Sequence, residues 1–302
     1  MTDKWFNEKF EKRNLLSYSR KRLDENNFTN KLFRRFSITN WLIILNLLVY
    51  ILIVALKITG ISEEKLLIIF GLQAQSFFNG AYWTLLTSMF THIWLPHLFF
   101  NMISLFFIGN VSEKIIGRKK ILWFYIISGL FAGLFYSILS FYFGNTELGA
   151  KLFVNSETYS VGASGAIFGI AGLLAILTPK MKVYLIAGPI IALIIQSFIH
   201  GIIKESSLLS LLDFLIMVYI FFSIFSMFSF NSRIRNLSIP LAMPFWILPI
   251  VAIVPLVVIG LFVNLPIGNT AHFGGLIAGI VYGKYLKNKY KNKTEIISKK
   301  FS

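Results

Sequence analysis

The chain of 302 residues is 56% apolar and only 14% charged, a balance that excludes an ordinary soluble domain and indicates a polytopic membrane protein. Its formal charge of +16 does not indicate a nucleic-acid binder, because the basic residues lie between and outside the apolar runs and form no solvated patch interleaved with aromatics. With no cysteine, a disulfide framework and a thiol nucleophile are both excluded.

In chain order, residues 1–37 read as a cytosolic basic region, with ten Lys or Arg and five Asp or Glu. They lack the short apolar core and small-residue cleavage site of a secretory signal, and their acids argue against a transit peptide. Trp5, Phe6, Phe10, Leu15 and Leu16 fit either a weakly amphipathic surface helix or a partly ordered tail. A membrane helix needs roughly 20 apolar residues. Eight segments come close, over 38–58, 97–113, 121–143, 162–178, 183–203, 208–230, 241–263 and 270–286. Between the first two, residues 59–96 are aromatic and only intermittently apolar, which suits a loop or short helices half in the interface. Residues 287–302 form a second basic, cytosolic tail.

Cytoplasmic loops carry most of the Lys and Arg of a membrane protein. With both termini inside, the N-terminal region holds ten, the 114–120 turn four, Lys180 and Lys182 two, Arg233 and Arg235 two, and the tail from Lys284 seven, which is 25 of the 29. Only Lys57, Lys65, Lys151 and Lys204 fall on the other side. This topology places Ser164 and all four histidines, His92, His97, His200 and His272, near the non-cytoplasmic face. For His200, which ends a helix beside Gly201, the blander reading of a histidine satisfied at the interface is preferred.

Polar residues at membrane depth are costly and are usually kept for function. Ser164 lies in Gly162-Ala163-Ser164-Gly165 and His272 in Ala271-His272-Phe273-Gly274-Gly275, each at the start of an apolar segment. Serine and histidine are a recurrent hydrolytic pair. Gly275, Gly279 and Gly283 recur every four residues on one helix face, and Gly165, Gly169 and Gly172 thin the fourth helix, so close packing of the two would bring Ser164 against His272. Such repeats also occur where there is no chemistry; the histidine beside the hydroxyl tips the balance. His97 and Asn101, spaced i and i+4, share a face of the second helix; without the serine and histidine blocks they would read as an interhelical hydrogen-bonding pair.

These blocks resemble the rhomboid intramembrane serine proteases, through Tyr82-Trp83-Thr84 to His92, His97-Leu98-Phe99-Phe100-Asn101, Gly162-Ala163-Ser164-Gly165-Ala166-Ile167-Phe168-Gly169 and the His272 block. The resemblance covers residues 38–286. It implies an all-α polytopic helix bundle with a six-helix core, Ser164 as nucleophile, His272 as general base without a third carboxylate, and an oxyanion hole of His97, Asn101 and the Ser164 backbone amide. It also implies that Phe168 stacks on the His272 ring, with Gly162, Gly165, Gly275 and Gly279 in support. Thr84 departs from the family in standing where an arginine often follows the tryptophan.

A larger departure is the span of about 183–230, two extra helices between the serine helix and the segment Ile239-Pro240-Leu241 onward that resembles the usual fifth helix. Two added spans preserve parity, so His272 still starts on the same side as Ser164. Pro240, Pro244, Pro249 and Pro255 are expected to bend the seventh helix, either as a lateral gate for substrate or as plain kinks, and neither reading is preferred.

The expected activity is hydrolysis of peptide bonds in or beside the transmembrane segments of membrane-protein substrates, with the lipid bilayer as the other partner and no nucleic acid. The alternative is a catalytically inactive relative that binds membrane proteins. No cofactor or metal is expected: the sequence has no His-Glu-x-x-His run, and Asp213 has no second intramembrane aspartate beside it. The simplest location is the cell membrane, with the site opening to the non-cytoplasmic side.

Overall fold

A computed structural model describes residues 36–202, 207–226, 231–262 and 268–301. The expected stripe at Trp5 to Leu16, Lys204 and the end of the 208–230 segment lie outside these residues, and the His200 side chain is likewise not described.

Helix α1 (Ile38–Ile58) begins where Ser37 Oγ accepts from the Asn40 amide at 3.0 Å. The Glu113 carboxylate accepts from the amides of Ile38 and Thr39 at 3.0 and 2.9 Å and from the Thr39 hydroxyl at 2.9 Å. A buried acid thus satisfies first-turn amides that would otherwise have no partner, and its charge complements the positive end of the helix dipole. Arg118 lies 3.6 Å from the same carboxylate. Leu48, Ile51 and Leu52 stand exposed on the opposite side of α1, a face suited to lipid.

Residues 59–94 fold as short pieces: α2 (Glu63–Phe70), strand β1 (Leu72–Gln73), α3 (Ala74–Phe78), α4 (Thr84–Thr87) and a 3₁₀ turn at Ser88–Phe90. Trp83 Nε1 donates to the Ile69 carbonyl at 2.9 Å and Thr87 Oγ1 to that of Phe70 at 2.9 Å, which closes the segment on itself.

Helix α5 runs over Leu95–Ile116 with a π-helical stretch at Leu105–Gly109. One widened turn re-aims the side chains beyond it, and such turns recur at functional sites. Helix α6 (Arg118–Phe143) returns and α7 (Glu147–Phe153) follows. Strand β2 (Tyr159–Ser160) then pairs antiparallel with β1, Leu72 opposite Ser160. This brings the chain to α8 (Ser164–Leu177), the most enclosed helix, with Ile170, Leu173 and Leu174 fully buried.

The segments predicted as whole helices over 183–203 and 241–263 open differently. Strand β3 (Lys182–Ile186) precedes α9 (Ala187–Ile202); α10 (Ser207–Ser226) and the short α11 (Ser232–Asn236) lead to β4 (Pro240–Pro244), a 3₁₀ turn (Phe245–Ile247) and α12 (Leu248–Phe262). The strands pair antiparallel with Lys182 opposite Pro244 and Ile186 opposite Pro240. Pro244 disfavours helical geometry at Met243, and β-branched and aromatic residues at Val183, Tyr184 and Ile186 suit a strand. Of the four prolines expected to bend the seventh helix, Pro240 and Pro244 bound β4, Pro249 occupies the first turn of α12 where no partner for its nitrogen is needed, and only Pro255 is interior.

Helix α13 (Asn269–Lys289) and the short α14 (Lys291–Lys300) end the described chain. By length and composition, Ile38–Ile58, Leu95–Ile116 and Arg118–Phe143 suffice to cross a membrane, and Ser164–Leu177, Leu208–Ser223 and Phe245–Pro255 are shorter apolar helices.

Candidate active site

Glycine contacts set the site. A Cβ added at Gly275 would fall 1.9 Å from the Gly165 carbonyl oxygen, and one at Gly279 would fall 2.0 Å from that of Gly169, so α13 and α8 meet backbone to backbone. Neither obstacle is a flexible side-chain end, so only glycine fits. On the far side of α8 an added Gly165 Cβ would meet that of Ala132 on α6 at 2.8 Å.

Along that seam Ser164 is the first residue of α8 and His272 lies in the first turn of α13. Ser164 Oγ and His272 Nε2 are 2.7 Å apart, across 108 residues of sequence. Phe168, one turn along α8, stacks on the imidazole with ring centres 4.5 Å apart and planes 24° from parallel. A hydroxyl donating to Nε2 leaves the ring proton on Nδ1, and among the described residues no side chain accepts from that nitrogen.

Gly162 precedes this turn with φ of +117°, a conformation open to glycine, and its amide donates to the Ser88 carbonyl at 2.8 Å. A Cβ there would lie 2.6 Å from the His97 ring. The bare glycine lets α5 approach, so His97 and Asn101 line the same cavity as Ser164, Phe168 and His272. That cavity, about 770 Å³, extends between Leu72, Met89, Gly133 and Tyr136. Among the described residues no group of three His, Asp or Glu side chains is placed to hold a metal ion.

The sequence reading assigned no task to His92, although it is fully buried behind Asn101. Its Nε2 lies 3.1 Å from Asn101 Nδ2 and accepts from the Ala163 amide at 3.4 Å. Its ring meets that of His97 edge-on at 5.1 Å. Burial, with His97 adding to it, pushes the His92 imidazole down from 6.5 to about 3. Its place at the end of the Tyr82 to His92 block and its placement on the side of Ser164 were the signals in the sequence, and neither pointed to its partners, because the amide it touches lies 71 residues away.

The family profile described as "Rhomboid domain" matches residues 79–212, which hold His97, Asn101 and Ser164 but stop short of His272. Rhomboid protease AarA of Providencia stuartii is 37% identical over 166 residues, covering 53% of this chain and 59% of that protein. Rhomboid protease GluP of Bacillus subtilis (strain 168) is 34% identical over 146 residues, 47% of this chain and 26% of that protein. RHOMBOID-like protein 12, mitochondrial, of Arabidopsis thaliana is 34% identical over 136 residues, 44% of this chain and 40% of that protein. The matches thus span less than two thirds of each relative's length.

Proposed function

We propose that the chain, which is similar to rhomboid proteases and matches the rhomboid domain profile over residues 79–212, is an intramembrane serine endopeptidase of that family in which Ser164 is the nucleophile and His272 the general base. The observation that carries this reading is the 2.7 Å contact between Ser164 Oγ and His272 Nε2 inside a cavity. Neutral His272 takes the hydroxyl proton as Ser164 Oγ attacks a peptide carbonyl, then gives it to the leaving amine. Water repeats the sequence on the acyl-enzyme: His272 accepts its proton, the hydroxide attacks the ester carbonyl, and the proton returns to Ser164. The pair works as a dyad, with Phe168 and tight helix packing orienting the ring where a carboxylate does so in a triad.

Negative charge on the former carbonyl oxygen needs donors fixed in advance. The Ser164 amide is a free first-turn donor of α8, and the His97 ring and Asn101 carboxamide line the same cavity. Each side-chain donor of this kind contributes about 3 to 4 kcal/mol to the transition state.

The arrangement in the membrane follows from the charge distribution. Eight spans, a six-helix core plus two inserted over about 183–230, leave residues 1–37 and 287–302 in the cytosol and open the cavity to the non-cytoplasmic side of the cell membrane. Substrates are membrane proteins whose transmembrane helix is weakened near that face, because an intact helix hides its carbonyls in hydrogen bonds. Replacing Ser164 with Ala, or His272 with Ala, in purified protein abolishes cleavage of a single-pass reporter while the melting temperature in detergent is kept. Retained cleavage by Ser164→Ala refutes the assignment.

A further inference from the structure

We propose that His92 is a positioning residue for transition-state stabilisation: its Nε2 lone pair orients the Asn101 carboxamide and anchors the Ala163 amide immediately before Ser164. The proposal rests on the reading of Ser164 as nucleophile. His92 is absent from the cavity wall, so it touches no substrate and acts through the two groups that it holds.

A backbone amide can only donate. The 3.4 Å bond from Ala163 N therefore makes Nε2 an acceptor and leaves the ring proton on Nδ1. An acceptor at 3.1 Å selects the NH₂ end of Asn101 over its carbonyl end. With one Nδ2 hydrogen spent on His92, the second remains for the cavity that Asn101 lines. Without that acceptor the carboxamide is free to turn its oxygen toward the cavity, which repels the negative charge that it is meant to hold. The same nitrogen fixes the peptide leading into Ser164, whose hydroxyl must keep its 2.7 Å contact with His272. His92 sits in the 88–94 turn, Asn101 on α5 and Ala163 at the head of α8, so one imidazole ties three separate segments together at the site.

The test compares His92→Gln, His92→Asn and His92→Leu with Asn101→Ala and the double variant His92→Leu/Asn101→Ala. Readouts are kcat and KM on a single-pass reporter and the melting temperature in detergent. Gln carries an acceptor at the reach of Nε2, Asn only at that of Nδ1, and Leu none. His92→Leu is expected to lower kcat about 10²-fold with KM little changed, as for a small misplacement of reacting groups. His92→Gln is expected to recover at least tenfold of that loss and His92→Asn none, and the double variant is expected to be slower than Asn101→Ala but to lose clearly less than the product of the two single losses. Folded His92→Leu with kcat within twofold of wild type, or losses that multiply in the double variant, overturns the proposal. Should His92→Leu not fold, equal kcat for the Gln and Asn variants overturns it instead. These failures leave the nucleophile assignment standing; cleavage by Ser164→Ala removes both.

Discussion

The α8–α13 seam and the α9–α10 pair are both apolar helix pairs, but they are built in opposite ways. At the seam, glycines bring backbones together, and the serine and histidine sit where the approach is closest. The hairpin instead turns large side chains outward, with Leu208, Phe214, Leu215 and Phe225 all more than half exposed. Its ties to the rest include the β3–β4 ribbon at its base and a ring contact between Phe99 and Phe221 at 6.0 Å. Inside it, Gln196 Nε2 donates to Asp213 Oδ1 at 2.7 Å, so the acid that sequence placed at membrane depth has an amide partner on the neighbouring helix. The candidate site therefore lies where backbone packing leaves no slack, whereas α10 presents large side chains to its surroundings.

Four substitutions test this contrast. The largest effect is expected at Ser164→Ala, with loss of about 10⁶-fold in kcat, the scale of removing a hydrolase nucleophile, read by reporter cleavage. Next is Gly275→Ala, whose new methyl would run into the Gly165 carbonyl. Overpacking of this kind costs about 1 to 3 kcal/mol, and any parting of α8 from α13 separates Ser164 from His272, so both melting temperature and cleavage rate fall. Asn101→Ala keeps the seam and is expected to lower kcat about 10²- to 10³-fold with the melting temperature nearly unchanged. Leu215→Ala, on the outer face of the hairpin, stays within about 0.5 kcal/mol of wild type and within twofold in rate. A Leu215→Ala effect as large as that of Gly275→Ala would mean that the hairpin is part of the working core.

Acid gives a further handle on the site. His92 is neutral in the fold, held at about 3 by burial, whereas an unfolded histidine titrates near 6.5. Between these values the unfolded state binds the extra proton, so stability falls as pH drops below 6.5 and recovers above it, by up to about 1.4 kcal/mol per pH unit. Melting curves of wild type from pH 7 to 4.5 are expected to fall more steeply than those of His92→Gln, and superimposable slopes would contradict the burial of His92.

Much of the helical layout was legible in the sequence because apolar runs bounded by charge leave few alternatives. The run at 38–58 matches α1 in full, and those at 97–113 and 121–143 fall inside α5 and α6. The encounter of Ser164 with His272 was readable from small residues at a four-residue spacing on two helices. The β3–β4 ribbon was not, because short apolar runs carry no periodicity that separates a strand from a buried helix end. Nor was the part played by His92, since its partners are a side chain nine residues on and a backbone amide 71 residues on, a convergence made only by folding.

On the reading proposed above, His272 makes Ser164 nucleophilic where the two helices touch. Mass spectrometry of purified protein treated with a fluorophosphonate reports on this at the serine itself. A covalent adduct on Ser164 is expected in wild type, and little or none in folded His272→Ala. An unmodified Ser164 in folded wild-type protein, or equal modification with and without His272, would contradict it.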